Sequence, residues 1–355
     1  MIKMRPTRAH GPELALLRAA AWPLVPLFAL GVAIKNSLYD HGLLRPQKLS
    51  WPVVSVGNLS VGGTGKTPFV RELARLLEQR GQQVDVLTRG HGRRGQQVEM
   101  VPSDGPAWRY GDEPLLLARS GVPVFVGRRR YDAGVLAEGL SPTGAAFANR
   151  LHLLDDGLQH RKLARTVEIV LLDRQDWEGH LLPSGRLREP RSALLRADIC
   201  VLREEDSDLL VPALAAMQTE DRARVWLLRR STVLETALQH LRPQRALAFC
   251  GIARPGQFFE GLRQAGLPVV ATVAFPDHHP YTERDVRALA AQARACHADV
   301  LVTTEKDHVR LDENSRKQLG AIAPLHVAGL AVSLQTPERC MEQLLGLLEK
   351  RTRVR

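Results

Sequence analysis

From about Ser50 onward, short unbroken apolar runs alternate with longer stretches in which apolar residues return every three or four positions. The short runs are Pro52–Val56, Gln83–Leu87, Val122–Val126, Leu151–Leu154, Val167–Leu172 and Ile199–Leu202, then Val225–Leu228, Ala246–Cys250, Val269–Val273 and Val300–Thr303. Most are rich in Val, Ile and Leu without in–out alternation, as expected for strands covered by helices on both faces. PFVRELARLLEQRG and ERDVRALAAQARACH have the helical period, and Gly81 sits where a helix end favours a left-handed residue. The pattern predicts an α/β fold on a mainly parallel sheet with flanking helices.

The N-terminus follows a different pattern. Basic MIKMRPTRAH precedes the uncharged run AAAWPLVPLFALGVAI, Ala19 to Ile34. A membrane-spanning helix needs about 20 apolar residues. This run is shorter, Pro23 and Pro26 interrupt its start, and no small-residue cleavage site follows. A basic, tryptophan-bearing apolar segment is expected to dip into one leaflet, its arginines on anionic headgroups.

Charge extends this picture to the whole chain. The formal net charge is +11, which favours anionic partners: nucleic acid, phosphorylated ligands or anionic lipids. The four cysteines, Cys200, Cys250, Cys296 and Cys340, form no CxxC pair. That spacing argues against a disulfide scaffold or a zinc site and fits a reducing cytoplasm.

The first strand runs into a glycine-rich loop, VVSVGNLSVGGTGKTPFV, and from there into a helix. Ser60, Val61, Gly62, Gly63, Thr64, Gly65, Lys66 and Thr67 fill the eight places of the phosphate-binding pattern GxxxxGK[ST], with serine for the first glycine. In such a loop backbone N–H groups and the helix N-terminus form an anion nest. Lys66 reaches the outer phosphates, and Thr67 is placed to ligate magnesium. A second magnesium anchor belongs at the end of a neighbouring strand. LHLLDDGLQH offers Asp155 and Asp156 there, where α/β sheets place ligands, and either could touch the metal.

Other polar positions are less telling by spacing alone. Asp173 in VEIVLLDRQD reads as an ordinary turn acid. Asp112 in RYGDEPLLLAR reads as a helix cap, and Asp277, His278 and His279 in FPDHHPYTERD as a turn. Arg89 with the following GHGRRG, and Arg128 to Arg130 in VGRRRYDAG, are basic clusters at strand ends that flank the phosphate site. Polar sequence over residues 220–244 separates two strand–helix series. The expected organisation is a membrane-associated segment at 1–40, a nucleotide-binding domain at 41–230, and a smaller α/β domain at 231–355 closing over the site.

Taken together, SVGNLSVGGTGKTPFV, LTRGHGRR, GDEPLLLA, RRYDAG, LLDDGLQHRKL, LLPSGRLREP, FPDHHPYT and TTEKDHVRL resemble the tetraacyldisaccharide 4′-kinases of lipid A biosynthesis, from about Asn36 to Leu311. The serine at position 60 is shared with that family. The resemblance implies a P-loop NTPase-like fold and transfer of the γ-phosphate of ATP to the 4′-hydroxyl of a tetraacylated glucosamine disaccharide 1-phosphate. It implies that Lys66 and Thr67 hold nucleotide phosphates and Mg2+, and that Asp155 and Asp156 complete the metal site. Asp112 becomes the base on the sugar hydroxyl, paired with His278 from the second domain. Arg89, Arg130, His160 and Glu189 are the remaining candidates on the substrate side.

The acylated acceptor implies work on an anionic membrane surface, and ATP places it on the cytoplasmic face of the inner membrane. Neither nucleic acid nor an obligatory protein partner is expected. The alternative reading is a membrane-associated P-loop ATPase or switch without a lipid acceptor. Switches of the GGxGKT type usually carry a lysine where this chain has Val61. In TTEKD, Lys306 and Asp307 are adjacent, whereas the guanine-reading NKxD separates them by one residue.

Overall fold

The computed structural model describes residues 21–140, 149–217, 224–241 and 243–353. The basic stretch MIKMRPTRAH lies outside them. Twelve strands are described: β1 (Val53–Asn58), β2 (Gln83–Thr88), β3 (Glu99–Met100), β4 (Val124–Val126), β5 (Arg150–Asp155) and β6 (Val167–Leu172), then β7 (Ile199–Arg203), β8 (Arg224–Leu234), β9 (Ala246–Cys250), β10 (Val269–Ala274), β11 (Val300–Thr304) and β12 (Leu325–Leu334). They form one sheet in the order β10-β9-β11-β12-β8-β7-β6-β1-β5-β2-β4-β3. Neighbours are parallel except for β8 with β12 and β3 with β4.

The ten apolar runs all become strands, with ends shifted by a few residues. Two strands escape that reading. β3 is two residues long, and β12 (LHVAGLAVSL) is half-exposed and interrupted by Gly329. The polar stretch at 220–244 does not part the sheet. Its middle is β8, eleven residues that run parallel to β7 and antiparallel to β12. The two strand–helix series therefore share one mostly parallel mixed sheet.

Helices cover the sheet as the periodicity requires. The helix Lys66–Glu78 buries Phe69, Val70, Leu73, Ala74, Leu76 and Leu77, and the helix Pro337–Thr352 buries Cys340, Met341, Leu344, Leu347 and Leu348. Both face one apolar core that also takes Val54 from β1, Trp226 from β8 and Val332 from β12. The core thus runs across the junction, and burying each Leu or Val contributes roughly 1.5–3 kcal/mol. All four cysteines are free.

The helix Val25–Asp40 buries none of its residues. Pro26 lies in its first turn, where no backbone donor is lost, and Pro23 lies in the short 3-10 turn Trp22–Leu24 before it. Polar contacts at its far end tie it down. Lys35 Nζ donates to the Gln159 carbonyl (2.9 Å), Asn36 Nδ2 to Glu189 Oε2 (3.1 Å), and Arg161 Nη2 to Asp40 Oδ1 (2.6 Å). No described helix is long and apolar enough to cross a membrane.

At the end of the sheet away from the phosphate loop, His152 of β5 is fully buried between carboxylates. Its Nδ1 lies 2.5 Å from Asp85 Oδ1 and its Nε2 3.4 Å from Glu138 Oε1, while Trp51 stacks on the ring. Burial works against the imidazolium, but the hydrogen bonds to Asp85 and Glu138 outweigh it and raise the group to about 9. The folded value exceeds the ordinary 6.5, so this stabilisation is complete below about pH 6.5 and is lost as pH rises through about 9. The thermal midpoint should fall between pH 7 and 10, and fall less in His152→Gln. Parallel curves for the two proteins would rule out His152 as the source.

Candidate active site

Parallel strands deliver their following loops to one edge, and the loops after β1, β2, β4 and β5 meet there. Residues Ser60–Thr67 arch over the end of β1 into the helix that starts at Lys66. Gly62 and Gly65 have φ of 103° and 89°, the left-handed region that favours glycine. A Cβ at Gly62 would also come within 2.5 Å of Arg186 Nη2. The Val61 amide donates to the Arg186 carbonyl (2.8 Å), and Arg186 Nη2 donates back to the Val61 carbonyl (2.9 Å). Ser60 is buried, its hydroxyl accepting from Asn58 Nδ2 at 3.2 Å. Lys66 Nζ donates to Asn58 Oδ1 at 2.7 Å and lies 3.3 Å from Asp156 Oδ1.

The two aspartates after β5 have opposed environments. Asp155 is buried; Thr88 Oγ1 donates to its Oδ2 at 3.3 Å, while its Oδ1 has no hydrogen-bond partner. Burial, with Glu113 and Asp156 nearby, pushes this carboxyl up to about 7. Asp156 adopts a left-handed backbone (φ 52°) and accepts from Arg188 Nη1 at 2.7 Å. Burial would raise it too, but Lys66 and Arg188 hold it well below the usual carboxylate range. An orphaned buried carboxylate oxygen in the cavity that Thr67 also lines suits a hard cation such as Mg2+, which takes one or two carboxylates together with phosphate oxygens and water. Among the described residues no group of three or more His, Cys, Asp or Glu could hold a metal without such help.

The loops after β9, β10 and β11 reach the same cavity from the other half of the sheet. Asp112, buried at the start of the helix Asp112–Arg119, accepts at Oδ2 from Arg310 Nε (2.9 Å) and Nη2, with His278 Nδ1 3.2 Å away. Its Oδ1 accepts the Glu113 amide at 3.0 Å. Burial alone would raise Asp112, yet the hydrogen bond from His278 and the charges of Arg310 and Lys306 hold it far below the usual range. His278 is raised in turn, chiefly by its bond to Asp112. Arg310 is itself fixed by the Gly251 carbonyl (2.7 Å) and Asp307 Oδ1 (3.1 Å). Lys306 pairs with Glu113, and Arg71 with Glu305 at 3.1 Å.

The residues read from sequence fall into three places. Val61 to Thr67, Asp155, Asp156, Arg89, Arg130 and His278 line one cavity of about 700 Å³, whereas Ser60 and Asp112 are buried and do not line it. Arg89 and Arg130 also line an adjoining one of about 490 Å³ with Arg128, Arg129, His160 and Lys162. There Arg130 Nη1 approaches His160 Nδ1 at 3.5 Å, and burial together with Arg130 depresses His160 to about 3. Glu189 lies elsewhere, buried and bound to Arg196 Nη2 (2.6 Å) and Asn36 beneath the N-terminal helix. Asp173 caps the short helix Arg174–Trp177 and accepts from Arg203 and Arg254.

Asn58, Arg188, Lys306 and Arg310 hold the four central side chains, yet spacing did not single them out. The available signal was their position inside the quoted segments: Arg188, Lys306 and Arg310 act on partners 32, 193 and 198 residues away, and only Asn58, eight residues before Lys66, has a near one.

Comparisons with known proteins identify a family. The family described as tetraacyldisaccharide-1-P 4′-kinase, LpxK, matches residues 17–349. A tetraacyldisaccharide 4′-kinase of Koribacter versatilis is 42% identical over 337 residues, covering 93% of this chain and 99% of that protein. One from Geobacter metallireducens is 39% identical over 338 residues, covering 92% and 95%. The solved structure of LpxK from Aquifex aeolicus, an "apo" form in complex with ATP, is similar with a TM-score of 0.72 at 30% identity, covering 94% of this chain and 99% of that one. The chain therefore belongs to the tetraacyldisaccharide-1-P 4′-kinase family, the ATP-dependent kinases of lipid A biosynthesis.

Proposed function

We propose that this kinase transfers the γ-phosphate of ATP to the 4′-hydroxyl of a tetraacylated glucosamine disaccharide 1-phosphate, with Asp112 as the base. One observation carries the assignment. Asp112, held ionised by Arg310 and His278, is buried next to Glu113 and His278, which line the same cavity as the loop Gly62–Thr67. In this reading the loop amides and Lys66 hold the nucleotide phosphates. Thr67, Asp155 and Asp156 hold Mg2+, which neutralises charge on the phosphates. Asp112 orients the sugar hydroxyl and takes its proton as the oxygen–phosphorus bond forms and the bond to the ADP oxygen breaks. Such transfer relies mostly on positioning, so a carboxylate of low basicity suffices.

Arg89, Arg130 and His160 form the basic floor on the acceptor side, and Glu189 positions the N-terminal helix through Asn36. Residues 231–355 act as the smaller unit that closes on residues 41–230. His278 and Arg310 complete the Asp112 site only from that side, which couples closure to chemistry and limits idle hydrolysis of ATP.

The acceptor's four acyl chains keep it in a bilayer. The helix Val25–Asp40 and the turn before it support interfacial attachment, because Trp22, Leu27, Leu30 and Ile34 are each more than half exposed. A helix of 16 residues is about 24 Å long, less than a hydrocarbon core of about 30 Å, which supports a place within one leaflet, and ATP as donor makes it the cytoplasmic one of the inner membrane.

Three measurements check this reading. With detergent-dispersed tetraacyldisaccharide 1-phosphate, Asp112→Ala should transfer phosphate ~10²–10⁴-fold more slowly while still binding ATP. Hydrolysis of ATP indifferent to the lipid and to Asp112 would sink the assignment. In melting curves, ATP with magnesium should stabilise the protein more than ATP alone, and Asp155→Asn should lose that increment. The same variant, relieved of an unpaired buried carboxylate, should melt no lower than wild type without ligands. An unchanged increment would remove Asp155 from the metal site. Finally, Leu27→Glu with Leu30→Glu should reduce co-sedimentation with vesicles containing phosphatidylglycerol; equal binding would move attachment elsewhere.

A further inference from the structure

Arg230 projects from the middle of β8, where it is paired with Val332 of β12, into the cavity above the phosphate loop. Its guanidinium carbon lies 3.7 Å, and its Nε 3.8 Å, from where a Cβ on Gly65 would stand. Nε is buried and has no partner, and among the described residues no carboxylate forms an ion pair with Arg230. Two cations and two carboxylates surround it, and neither carboxylate bonds to it. Arg203 and Arg254 lie close, and both spend their charge on Asp173; Glu205 is the other nearby acid. Arg254 also leaves Nε and Nη2 buried without partners. Burial, with Arg203 and Arg254, pushes the Arg230 guanidinium down to about 10. A largely desolvated guanidinium without a counter-charge is unfavourable unless a ligand brings one. Its planar fork matches phosphate oxygens.

We propose that Arg230 binds the outer phosphates of the nucleotide from the side opposite Lys66, so that β8 and the phosphate loop grip the same group. The sequence motif for the loop carries no such residue, and the inference rests on the reading of ATP as donor. Its consequence is mechanical. β8 joins the two halves of the sheet, so a phosphate held by both Lys66 and Arg230 ties the nucleotide to the strand about which the halves meet.

Calorimetric titration with ATP and ADP in magnesium, on wild type, Arg230→Met and Arg230→Lys, tests this. Arg230→Met should bind ATP ~10- to 100-fold more weakly, the loss expected for a charge-assisted hydrogen bond, with Arg230→Lys between the two. Without nucleotide it should melt no lower than wild type, and the KM for the lipid should stay unchanged while the KM for ATP rises. ATP affinity within twofold of wild type overturns the assignment, as does a rise confined to the KM for lipid, which would place the acceptor's phosphate there instead. A wild type that fails to bind ATP would sink the donor reading itself.

Discussion

Asp112 is 5% exposed, and a carboxylate so placed stays ionised because cations from a distant part of the chain reach it. Removing one partner of a buried pair leaves an uncompensated charge and costs about 3–5 kcal/mol. Arg310 is therefore a constraint on the whole arrangement. It is aimed by the Gly251 carbonyl and by Asp307, which also accepts from the Gly251 amide, Tyr281 and Thr304. Asp307 is fully buried within that set. The loops after β9 and β11 and the tail of β10 are thus locked to one another, and through Arg310 to a helix of the opposite half.

The sheet makes that meeting possible. Every parallel strand delivers its following loop to its own carboxyl edge, so each half of the sheet has one functional edge. The antiparallel junction between β8 and β12 sets the two edges facing one cavity. Contacts across it are polar, as in Glu113 with Lys306 and Arg71 with Glu305, whereas the layer beneath is apolar and continuous. Polar contacts exchange with water more readily than a close-packed core does, as the proposed closing of the cleft above a firm base would require.

Much of this was legible from residue order. Strands with both faces buried advertise themselves as apolar runs, and the glycines and Lys-Thr of the phosphate loop sit at fixed spacing because backbone geometry demands it. The half-exposed β12 lacked that signal, and so did the continuation of β8 through Arg229, Arg230 and Ser231. The pairing of Asp112 with Arg310 spans 198 residues and has no local periodicity to betray it. Glu189 shows the reverse case. Its place in a quoted segment suggested the cavity, yet its side chain joins the body to the N-terminal helix. Motifs record which residues matter more reliably than where their side chains point.

The charges around the phosphate loop remain unbalanced in both senses. On one side Asp155 carries an oxygen with no donor; on the other, Arg230 and Arg254 carry donors with no acceptor. Direct pairing would neutralise both, but no ion pair joins them, although both line the same cavity. A magnesium–nucleotide complex has the complementary pattern, with a cation beside its phosphates and phosphate oxygens spread along the other flank. Under the proposed reading such a complex satisfies both sides at once, whereas a bare anion or a bare cation satisfies one and worsens the other. Selectivity for the metal complex then comes from two buried imbalances of opposite sign in one cavity, and the stability forgone in the free enzyme is recovered on binding.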